Sequence, residues 1–247
     1  MASNSACTTT PGEKPRIESR SVWDPQSQCR FVAARPAGEP ELWSAYLAGA
    51  LGGYRKYGAE GALDYERTRD GESTALFFVA IAGDGFVAGG LRAQGPYQRA
   101  EQAHATLEWA GHPGARAVRT MITDRIPFGV VEMKAAWVAD GVARRTELTR
   151  SLAGIGCCTL EILDVQFLLA TAAEHVLHLW ASSGGEVAQH IPSTPYPDER
   201  YRTRMMWWDR RNRQNLGAVK GTNQFTRMRA QWPADDDDES IRLHRSN

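Results

Sequence analysis

The stretch from Val130 to Val187 decides the fold, and it contains in order VVEMKAAWVADG (130–141), VARRTELTRSLAGI (142–155), LDVQFLLATAA (163–173) and EHVLHLWASSGGEV (174–187). The first and third segments are apolar runs typical of buried strands, whereas the second and fourth have helical spacing. Two apolar strands joined by a helix predict a parallel pair with a right-handed crossover. Such sheets bind ligands beyond the C-terminal strand ends, where a helix N-terminus offers N–H groups to an anion.

On the N-terminal side of this unit the pattern predicts a helix followed by a β-hairpin. The helix begins at Pro40, and apolar residues then recur at about 3.6-residue spacing. Gly52-Gly53 is expected to end or kink it. Thr74–Ala82 and Phe86–Ala93 are predicted strands, and the Gly-Asp-Gly turn between them is typical of an antiparallel hairpin.

The remaining segments complete a mixed sheet. Ala100–Trp109 is predicted as a helix and Ala117–Thr123 as a short strand, while Gly185–Ile191 and Tyr201–Asp209 are strand candidates joined by a Pro-rich connector. The order of elements predicts an α+β domain, or a three-layer α/β domain, around a mixed sheet. Its centre is the strand–helix–strand unit, and it ends in a C-terminal β-hairpin.

Composition sets the domain boundaries. The chain has 247 residues, enough for one domain with tails. Residues 1–28 are polar and aperiodic and are predicted to be a disordered arm, and residues 29–212 form the domain. Residues 213–247 are predicted to be a polar, mostly disordered tail. Its acidic run Asp235–Glu239 is expected to be solvated, with an acidic docking motif as the alternative.

Charge and hydropathy exclude several classes of function. Lys plus Arg and Asp plus Glu number 29 each, so no overall field favours nucleic acid or an anionic membrane. No apolar run approaches the roughly 20 residues of a membrane span, and the N-terminus lacks the apolar core of a secretory signal. The four cysteines and six histidines lack zinc-site spacing, so no metal is predicted. A cytoplasmic protein is the simplest interpretation, and a homodimer is left open.

Several motifs resemble one superfamily. Gly89-Gly90-Leu91-Arg92 closes the second hairpin strand, Glu132 lies in the central strand, and a helix with Trp180 precedes a Gly and the last hairpin. These features resemble the acyl-CoA N-acyltransferase (GNAT) superfamily, nearest in pattern to autoinducer synthases and N-acyl amino acid synthases. The resemblance implies an N-acyltransferase that uses an acyl-CoA or acyl carrier protein thioester and a small or amino-acid-like amine. A non-catalytic module binding an acyl ligand or a protein partner is the alternative.

The sequence also departs from the superfamily at two places. Residues 140–147 lack the small residues of its pyrophosphate loop in register. Trp180 stands where many members have a Tyr that protonates the departing thiolate. These departures count more against acetyl-CoA-specific transfer and lactone synthesis than against a longer acyl donor.

Glu132 is the predicted catalytic base. A carboxylate in an apolar strand is costly to bury unless it is paired, and burial raises its pKa toward that of a base for an ammonium acceptor. A structural ion pair with Lys134 or Arg92 is the alternative. Strict alternation predicts two faces: Val130, Glu132, Lys134 and Ala136 on one, Val131, Met133, Ala135 and Trp137 on the other.

The donor phosphates are predicted to lie at the start of the helix after the central strand. Cations in a first helical turn oppose the helix dipole, so a bound polyanion would explain Arg144 and Arg145. A solvated basic turn is the alternative. The predicted donor-binding residues are Val138, Val142, Ala143, Arg144 and Arg145.

Three further residues are predicted to bind substrate. Arg92 ends a strand of small residues and suits a substrate carboxylate, with surface placement as the alternative. Trp137 is predicted to line an acyl pocket, although aromatics on strands are more often core. His175 is predicted to contact the thioester or amine, with packing or surface placement as the alternative.

Overall fold

Eight strands form one mixed sheet in residues 20–212, the part of the chain that the computed structural model describes. They are β1 (Arg20–Asp24), β2 (Cys29–Ala34), β3 (Thr74–Ile81), β4 (Val87–Gln94), β5 (Val130–Val138), β6 (Phe167–Ala173), β7 (Glu186–Val187) and β8 (Thr203–Asp209). Their order in the sheet is β1-β2-β3-β4-β5-β6-β8-β7. Only β5 and β6 pair in parallel, and every other pair of neighbouring strands is antiparallel.

Helices cover both faces of the sheet. They are α1 (Pro40–Lys56), α2 (Tyr65–Thr68), α3 (Ala105–Glu108), α4 (Ala115–Thr123), α5 (Arg145–Gly156), α6 (Thr159–Ile162) and α7 (Leu177–Ala181). Short 3-10 helices lie at Glu60–Leu63, Ala100–Gln102, Ile126–Phe128 and Glu174–Val176. No helix within residues 20–212 has the length and apolar character needed to cross a membrane.

The predicted architecture is confirmed. β5, α5 and β6 form the expected parallel unit, and β7 pairs with β8 in the expected C-terminal antiparallel hairpin. The domain is a mixed α+β sheet with helices packed on it. After β6 the chain first forms β7 at the edge of the sheet and then returns to form β8 between β6 and β7.

The N-terminal boundary needs correction, because strand β1 begins at Arg20 inside the predicted disordered arm. The turn after β1 is held by Asp24, whose carboxylate accepts hydrogen bonds from the hydroxyl groups of Ser27 (2.7 Å) and Ser151 (2.6 Å). Ser151 belongs to α5, so this buried carboxylate ties the first hairpin to the central helix. Residues 1–19 and the predicted tail at 213–247 lie outside the described residues.

Two element predictions were also wrong, and of the end or kink expected at Gly52-Gly53 the end is wrong. Ala117–Thr123 belongs to helix α4 rather than to a strand, because Val118 and Ile122, four residues apart, bury one helical face. The Ala100–Trp109 segment is not one helix but a 3-10 turn followed by α3. Helix α1 continues past Gly52-Gly53 to Lys56.

A bulge in β5 reverses the predicted faces of its second half. Ala135 has φ +51°, a conformation that interrupts the strand's alternation, and the β4–β5 register shifts between Gly90 and Arg92. Ala135 and Trp137 therefore face α1 together with Glu132 and Lys134, while Ala136 packs on the α5 side. The strict alternation predicted for Ala135, Ala136 and Trp137 was wrong because a bulge shifts the pattern by one residue.

Candidate functional site

Strands β5 and β6 separate at their C-terminal ends. Their parallel pairing runs from Val130 opposite Phe167 to Met133 opposite Ala170 and then stops. Beyond Met133, β5 still pairs with β4, and β6 still pairs with β8 as far as Ala173 opposite Thr203. The result is a gap in the middle of the sheet, and within residues 20–212 no strand pairs with the edge of β5 that faces it.

A group of polar side chains lies at this gap on the α1 side: His104, Glu108, Lys134, Thr171 and Tyr196, termed here the split cluster. One oxygen of Glu108, Oε1, accepts hydrogen bonds from Nζ of Lys134 on β5 (2.7 Å) and from the hydroxyl of Thr171 on β6 (3.0 Å). Glu108 therefore bridges the two separated strands. Its side chain is 1% exposed, and its second oxygen, Oε2, has no hydrogen-bond partner in the described part of the chain.

His104 joins Glu108 to Tyr196. Nδ1 of His104 lies 3.4 Å from Oε1 of Glu108, and its Nε2 lies 3.2 Å from the Tyr196 hydroxyl. Burial, reinforced by Lys134, lowers the His104 pKa to about 4, so the imidazole is neutral at neutral pH. Burial and the Glu108 charge raise the Tyr196 pKa to about 12, so the phenol keeps its proton.

Lys134 is charged in this setting although it is buried. Burial lowers the pKa of Lys134, but the neighbouring Glu108 and Glu132 carboxylates outweigh that effect and leave the pKa above its usual value. Its Nζ lies 2.7 Å from Glu108 and 4.0 Å from Glu132. Lys134 therefore keeps a buried positive charge at the gap, between two carboxylates.

Glu132 lies in the paired half of β5 and is fully buried, at 0% exposure. Its carboxylate accepts hydrogen bonds from the hydroxyl of Tyr97 (2.7 Å) and from the backbone N–H groups of His104 (2.8 Å) and Ala105 (3.1 Å). Burial raises its pKa, and Lys134 opposes the shift. Of the two interpretations of Glu132, this geometry favours the structural one, because the carboxylate fixes the start of α3 and so positions His104.

Arg92 is buried, at 3% exposure, rather than on the surface. It faces Lys134 across the β4–β5 pair, and its guanidinium donates to the hydroxyl groups of Thr74 (3.3 Å) and Thr68 (3.2 Å). Its Nε has no partner, and no carboxylate within residues 20–212 forms an ion pair with it. Arg92 thus brings a positive charge to the site that this part of the protein does not neutralise.

The predicted donor-binding residues lie around the end of β5 and the start of α5. The first turn of α5 has no side-chain cap, so its N–H groups point away from the helix without a side-chain acceptor. The guanidinium of Arg145 donates to the carbonyls of Val138 (3.1 Å) and Ala139 (2.8 Å), and that of Arg144 donates to Gln26. Val142 and Ala143 occupy the loop between strand and helix.

Trp137 is wedged against helix α1. A Cβ atom at Gly49 would lie 2.0 Å from the Trp137 ring, so only glycine fits there. The Tyr46 ring also packs against Trp137, and its hydroxyl donates to the Ala135 carbonyl (2.9 Å), which secures the bulge. The indole N–H of Trp137 is buried without a partner in the described chain. Trp137 is thus half-buried at the gap rather than free on the surface.

His175 is not brought into the split cluster. It lies exposed in the 3-10 turn that follows β6, at the same edge of the sheet as the gap. Trp180, in the following helix, packs against the core on the α5 side.

An open groove of about 420 Å³ lies beside the C-terminal half of α1. Three carboxylates and one guanidinium line it; two of the carboxylates pair with arginines, Asp64 with Arg67 (3.8 Å) and Glu66 with Arg69 (3.3 Å), and Asp64 also acts electrostatically on Tyr196. The lining residues are Leu51, Arg55, Glu60, Gly61, Asp64, Tyr65 and Glu66.

Sequence reasoning missed His104, Glu108, Thr171 and Tyr196. A signal was present for the first two, since His104 and Glu108 stand four residues apart in a segment predicted to be helical. Tyr196 lies 92 residues from His104 along the chain, in a Pro-rich connector, and nothing local indicates their contact.

Comparison with known sequences finds mycobacterial proteins that are similar to this chain. An uncharacterised protein of Mycobacterium tuberculosis and one of Mycobacterium bovis are each 49% identical to it over 211 residues, which is 85% of this chain and 79% of theirs. The chain belongs to their family. No protein-family model matches the chain.

Solved structures with a similar fold include several acyltransferases. An N-acyl amino acid synthase from uncultured soil microbes is 12% identical, covering 73% of this chain and 91% of that one at a TM-score of 0.49. A CoA-dependent acyl-homoserine lactone synthase is 15% identical, covering 82% and 89% at 0.47. A spermidine N-acetyltransferase of Vibrio cholerae is 11% identical, covering 75% and 97% at 0.44. These likenesses concern the fold alone.

Proposed function

We propose that this protein transfers an acyl group from a thioester, on CoA or an acyl carrier protein, to the amine of a small or amino-acid-like acceptor. The observation that carries the proposal is the separation of β5 from β6 after Met133, with the split cluster spanning the gap. Such a transfer needs a place for the donor, a group that takes a proton from the amine, and charge stabilisation at the thioester. The residues around the gap offer a candidate for each.

The donor is proposed to lie along the open edge of β5. Beyond Met133 no strand of residues 20–212 pairs with this edge, so an extended arm containing amide groups would pair with it as an added strand. The uncapped first turn of α5 would receive the donor phosphates, as helix N-termini do for anions. Residues 138–145 connect the two, and Trp137 would contact the acyl chain.

The acceptor is proposed to approach from the α1 side. The buried guanidinium of Arg92, which has no carboxylate partner among residues 20–212, suits the carboxylate of an amino-acid-like substrate. The groove at Glu60, Asp64 and Glu66 is acidic and suits the approach of an ammonium group.

The proton of the acceptor amine is proposed to leave toward His104 rather than toward Glu132. A neutral imidazole has a lone pair available, whereas the Glu132 carboxylate is sealed at 0% exposure by hydrogen bonds from Tyr97 and the start of α3. Glu132 then serves as the anchor that fixes His104.

Thiol release tests this function directly. Acetyl-, decanoyl- and palmitoyl-CoA would each be incubated with the protein and a mixture of common amino acids and diamines, and free CoA thiol would be measured with a chromogenic disulfide. Protein-dependent thiol release that requires an amine supports the proposal. Binding of acyl-CoA without turnover under all conditions overturns it in favour of the non-catalytic module.

A variant of Arg92 tests the acceptor class. Arg92→Lys keeps the positive charge but loses bidentate geometry, so KM for amino acids is expected to rise about tenfold or more. KM for amines without a carboxylate should stay within about twofold, which serves as the internal control. Equal changes for both acceptor types would remove Arg92 from the acceptor site.

A further inference from the structure

The split cluster contains an unbroken line of contacts from a buried carboxylate to a partly exposed phenol. Oε1 of Glu108 lies 3.4 Å from Nδ1 of His104, and Nε2 of the same ring lies 3.2 Å from the hydroxyl of Tyr196. A hydrogen on Nδ1, the ring nitrogen that faces the Glu108 carboxylate, leaves Nε2 as an acceptor. The Tyr196 hydroxyl then donates to Nε2, and its oxygen lone pairs are free for another donor.

We propose that Glu108, His104 and Tyr196 form a proton relay that serves the acyl transfer, with Tyr196 as the catalytic residue and His104 and Glu108 as positioning residues. This assignment rests on the proposed function and adds to it the residue that meets the reacting atoms. His104 lies behind Tyr196, with its side chain 12% exposed, whereas the Tyr196 side chain is half-buried at the rim of the cluster.

The relay balances the reaction without any further reactant. The amine nitrogen attacks the thioester carbonyl carbon, and the new C–N bond leaves a proton on a positively charged nitrogen. That proton passes to the Tyr196 oxygen as the Tyr196 hydroxyl proton passes to Nε2 of His104. The C–S bond then breaks, sulfur leaves as thiolate with the bonding electrons, and the proton returns through Tyr196 to sulfur. The products are an amide and a thiol, and the relay is back in its starting state.

The surroundings suit a transient imidazolium. Oε1 of Glu108 lies 3.4 Å from Nδ1 of His104, and the second oxygen of this buried carboxylate, Oε2, has no hydrogen-bond partner within residues 20–212. Lys134 and Thr171 fix Oε1 of Glu108 from the two separated strands, so opening of the gap and orientation of His104 are mechanically linked. The charged groups whose fields reach the His104 ring are Lys134, Glu108, Arg92 and Arg67.

The relay also accounts for the departure at Trp180. That residue stands where the resemblance implies a tyrosine that protonates the thiolate, and in this structure it packs against the core on the α5 side. Tyr196 supplies a phenol at the gap from a different segment, the connector before β8.

The first test is spectroscopic and does not depend on turnover. In ¹⁵N-histidine-labelled protein, the relay requires His104 to be the Nδ1–H tautomer and to stay neutral down to about pH 5, because its pKa lies near 4. Tyr196→Phe should shift the Nε2 resonance of His104, whereas Tyr201→Phe should leave it unchanged. A His104 ring found as the Nε2–H tautomer overturns the relay.

The second test measures thiol release with the acyl-CoA and amine mixture described above. Tyr196→Phe and His104→Gln are expected to lower the rate constant about 10²-fold or more, and Tyr201→Phe to keep it within about twofold. The acid limb of the wild-type pH–rate profile should be absent in His104→Gln. Urea unfolding of each variant identifies any that fail to fold, and Tyr196→Phe, which keeps the ring, is the decisive one.

The outcomes separate the relay from the proposed function. Wild-type turnover with an unimpaired Tyr196→Phe overturns the relay and leaves acyl transfer standing. Absence of wild-type turnover, with the predicted His104 tautomer present, overturns acyl transfer and with it the catalytic role of Tyr196.

Discussion

In the half of β5 that pairs with β6, the Glu132 carboxylate is sealed by three hydrogen bonds, two of them from backbone N–H groups at the start of α3. In the half that has separated from β6, Glu108 places one oxygen on Lys134 and Thr171 and leaves the other without a partner in the described chain. Both carboxylates are buried and both lie within 4.0 Å of Nζ of Lys134. The difference shows that burial alone does not satisfy a carboxylate: beside the paired strands all of its contacts are made, and beside the gap one oxygen keeps an unused acceptor.

The largest expected effect is on stability, in the half of β5 that pairs with β6. Glu132→Ala leaves Lys134 with a single carboxylate neighbour, Glu108, and leaves the backbone N–H groups of His104 and Ala105 without acceptors. The free energy of unfolding should therefore fall by about 3–5 kcal/mol. Urea denaturation measures it. Glu101→Ala, which removes an exposed carboxylate 3.3 Å from Arg119, is the matched control and should cost at most about 1 kcal/mol. A Glu132→Ala protein as stable as the control would contradict the contrast between the paired and the separated halves of β5.

The pH dependence of stability tests the split cluster, where β5 and β6 have separated. His104 has a pKa lowered from 6.5 to about 4 in the folded protein, so the unfolded chain binds a proton that the folded protein excludes between these values. The His104 contribution to the free energy of unfolding is therefore fully present above about pH 6.5. As the pH falls to about 4, the free energy of unfolding should therefore decrease by roughly 2–3 kcal/mol.

Denaturant titrations at several pH values isolate this effect. The slope between pH 4 and pH 6.5 should be reduced in His104→Gln relative to wild type and unchanged in His190→Gln, whose histidine is exposed. Identical slopes in wild type and His104→Gln would mean that the split cluster does not exclude protons.

A smaller effect is expected where the bulge is held. Tyr46→Phe removes the hydroxyl that donates to the Ala135 carbonyl at 2.9 Å in a fully buried position, which should lower the free energy of unfolding by about 1–2 kcal/mol. Tyr201→Phe is the control, because its hydroxyl makes only an exposed contact of 3.4 Å with Tyr57. Equal losses in the two variants would show that the bulge does not depend on Tyr46.

The smallest effect is expected at the bulge residue itself. Ala135 has φ +51°, a conformation that costs a residue with a Cβ atom about 1–2 kcal/mol and costs glycine nothing. Glycine is also more flexible in the unfolded chain, and this cancels about half of the gain from the substitution. Ala135→Gly should therefore raise the free energy of unfolding by less than about 1 kcal/mol, as thermal or urea denaturation can measure. Ala135→Val should lower it. Destabilisation by Ala135→Gly would indicate that the alanine methyl group packs better than its strain costs.

The local pattern was enough to predict the strand–helix–strand unit, because apolar runs and helical spacing in residues 130–173 are unambiguous. The Ala117–Thr123 segment was mistaken for a strand because seven residues of mixed polarity satisfy either period. Strand β1 was missed because its order depends on Asp24 reaching Ser151, 127 residues away. No local signal carries a contact of that kind.

The site was less predictable than the fold. Glu132, Lys134 and Arg92 were identified from residue type and strand position; Lys134 lies at the gap with Arg92 opposite it on β4, whereas Glu132 lies in the paired half of β5. Strict alternation put Trp137 on the wrong face because a bulge leaves no signature in a run such as Lys-Ala-Ala-Trp. Tyr196 enters the cluster only through the path of the connector before β8, which depends on the finished sheet.

The wedge of Trp137 against Gly49 has a consequence for how this family can diversify. Any side chain at position 49 would collide with the indole ring, and a smaller residue at position 137 would leave a void beside the gap. The two positions are thus expected to covary among homologues, with bulk moving from one to the other at roughly constant total volume. An engineer seeking to alter the space beside the gap would begin with paired substitutions at these two positions.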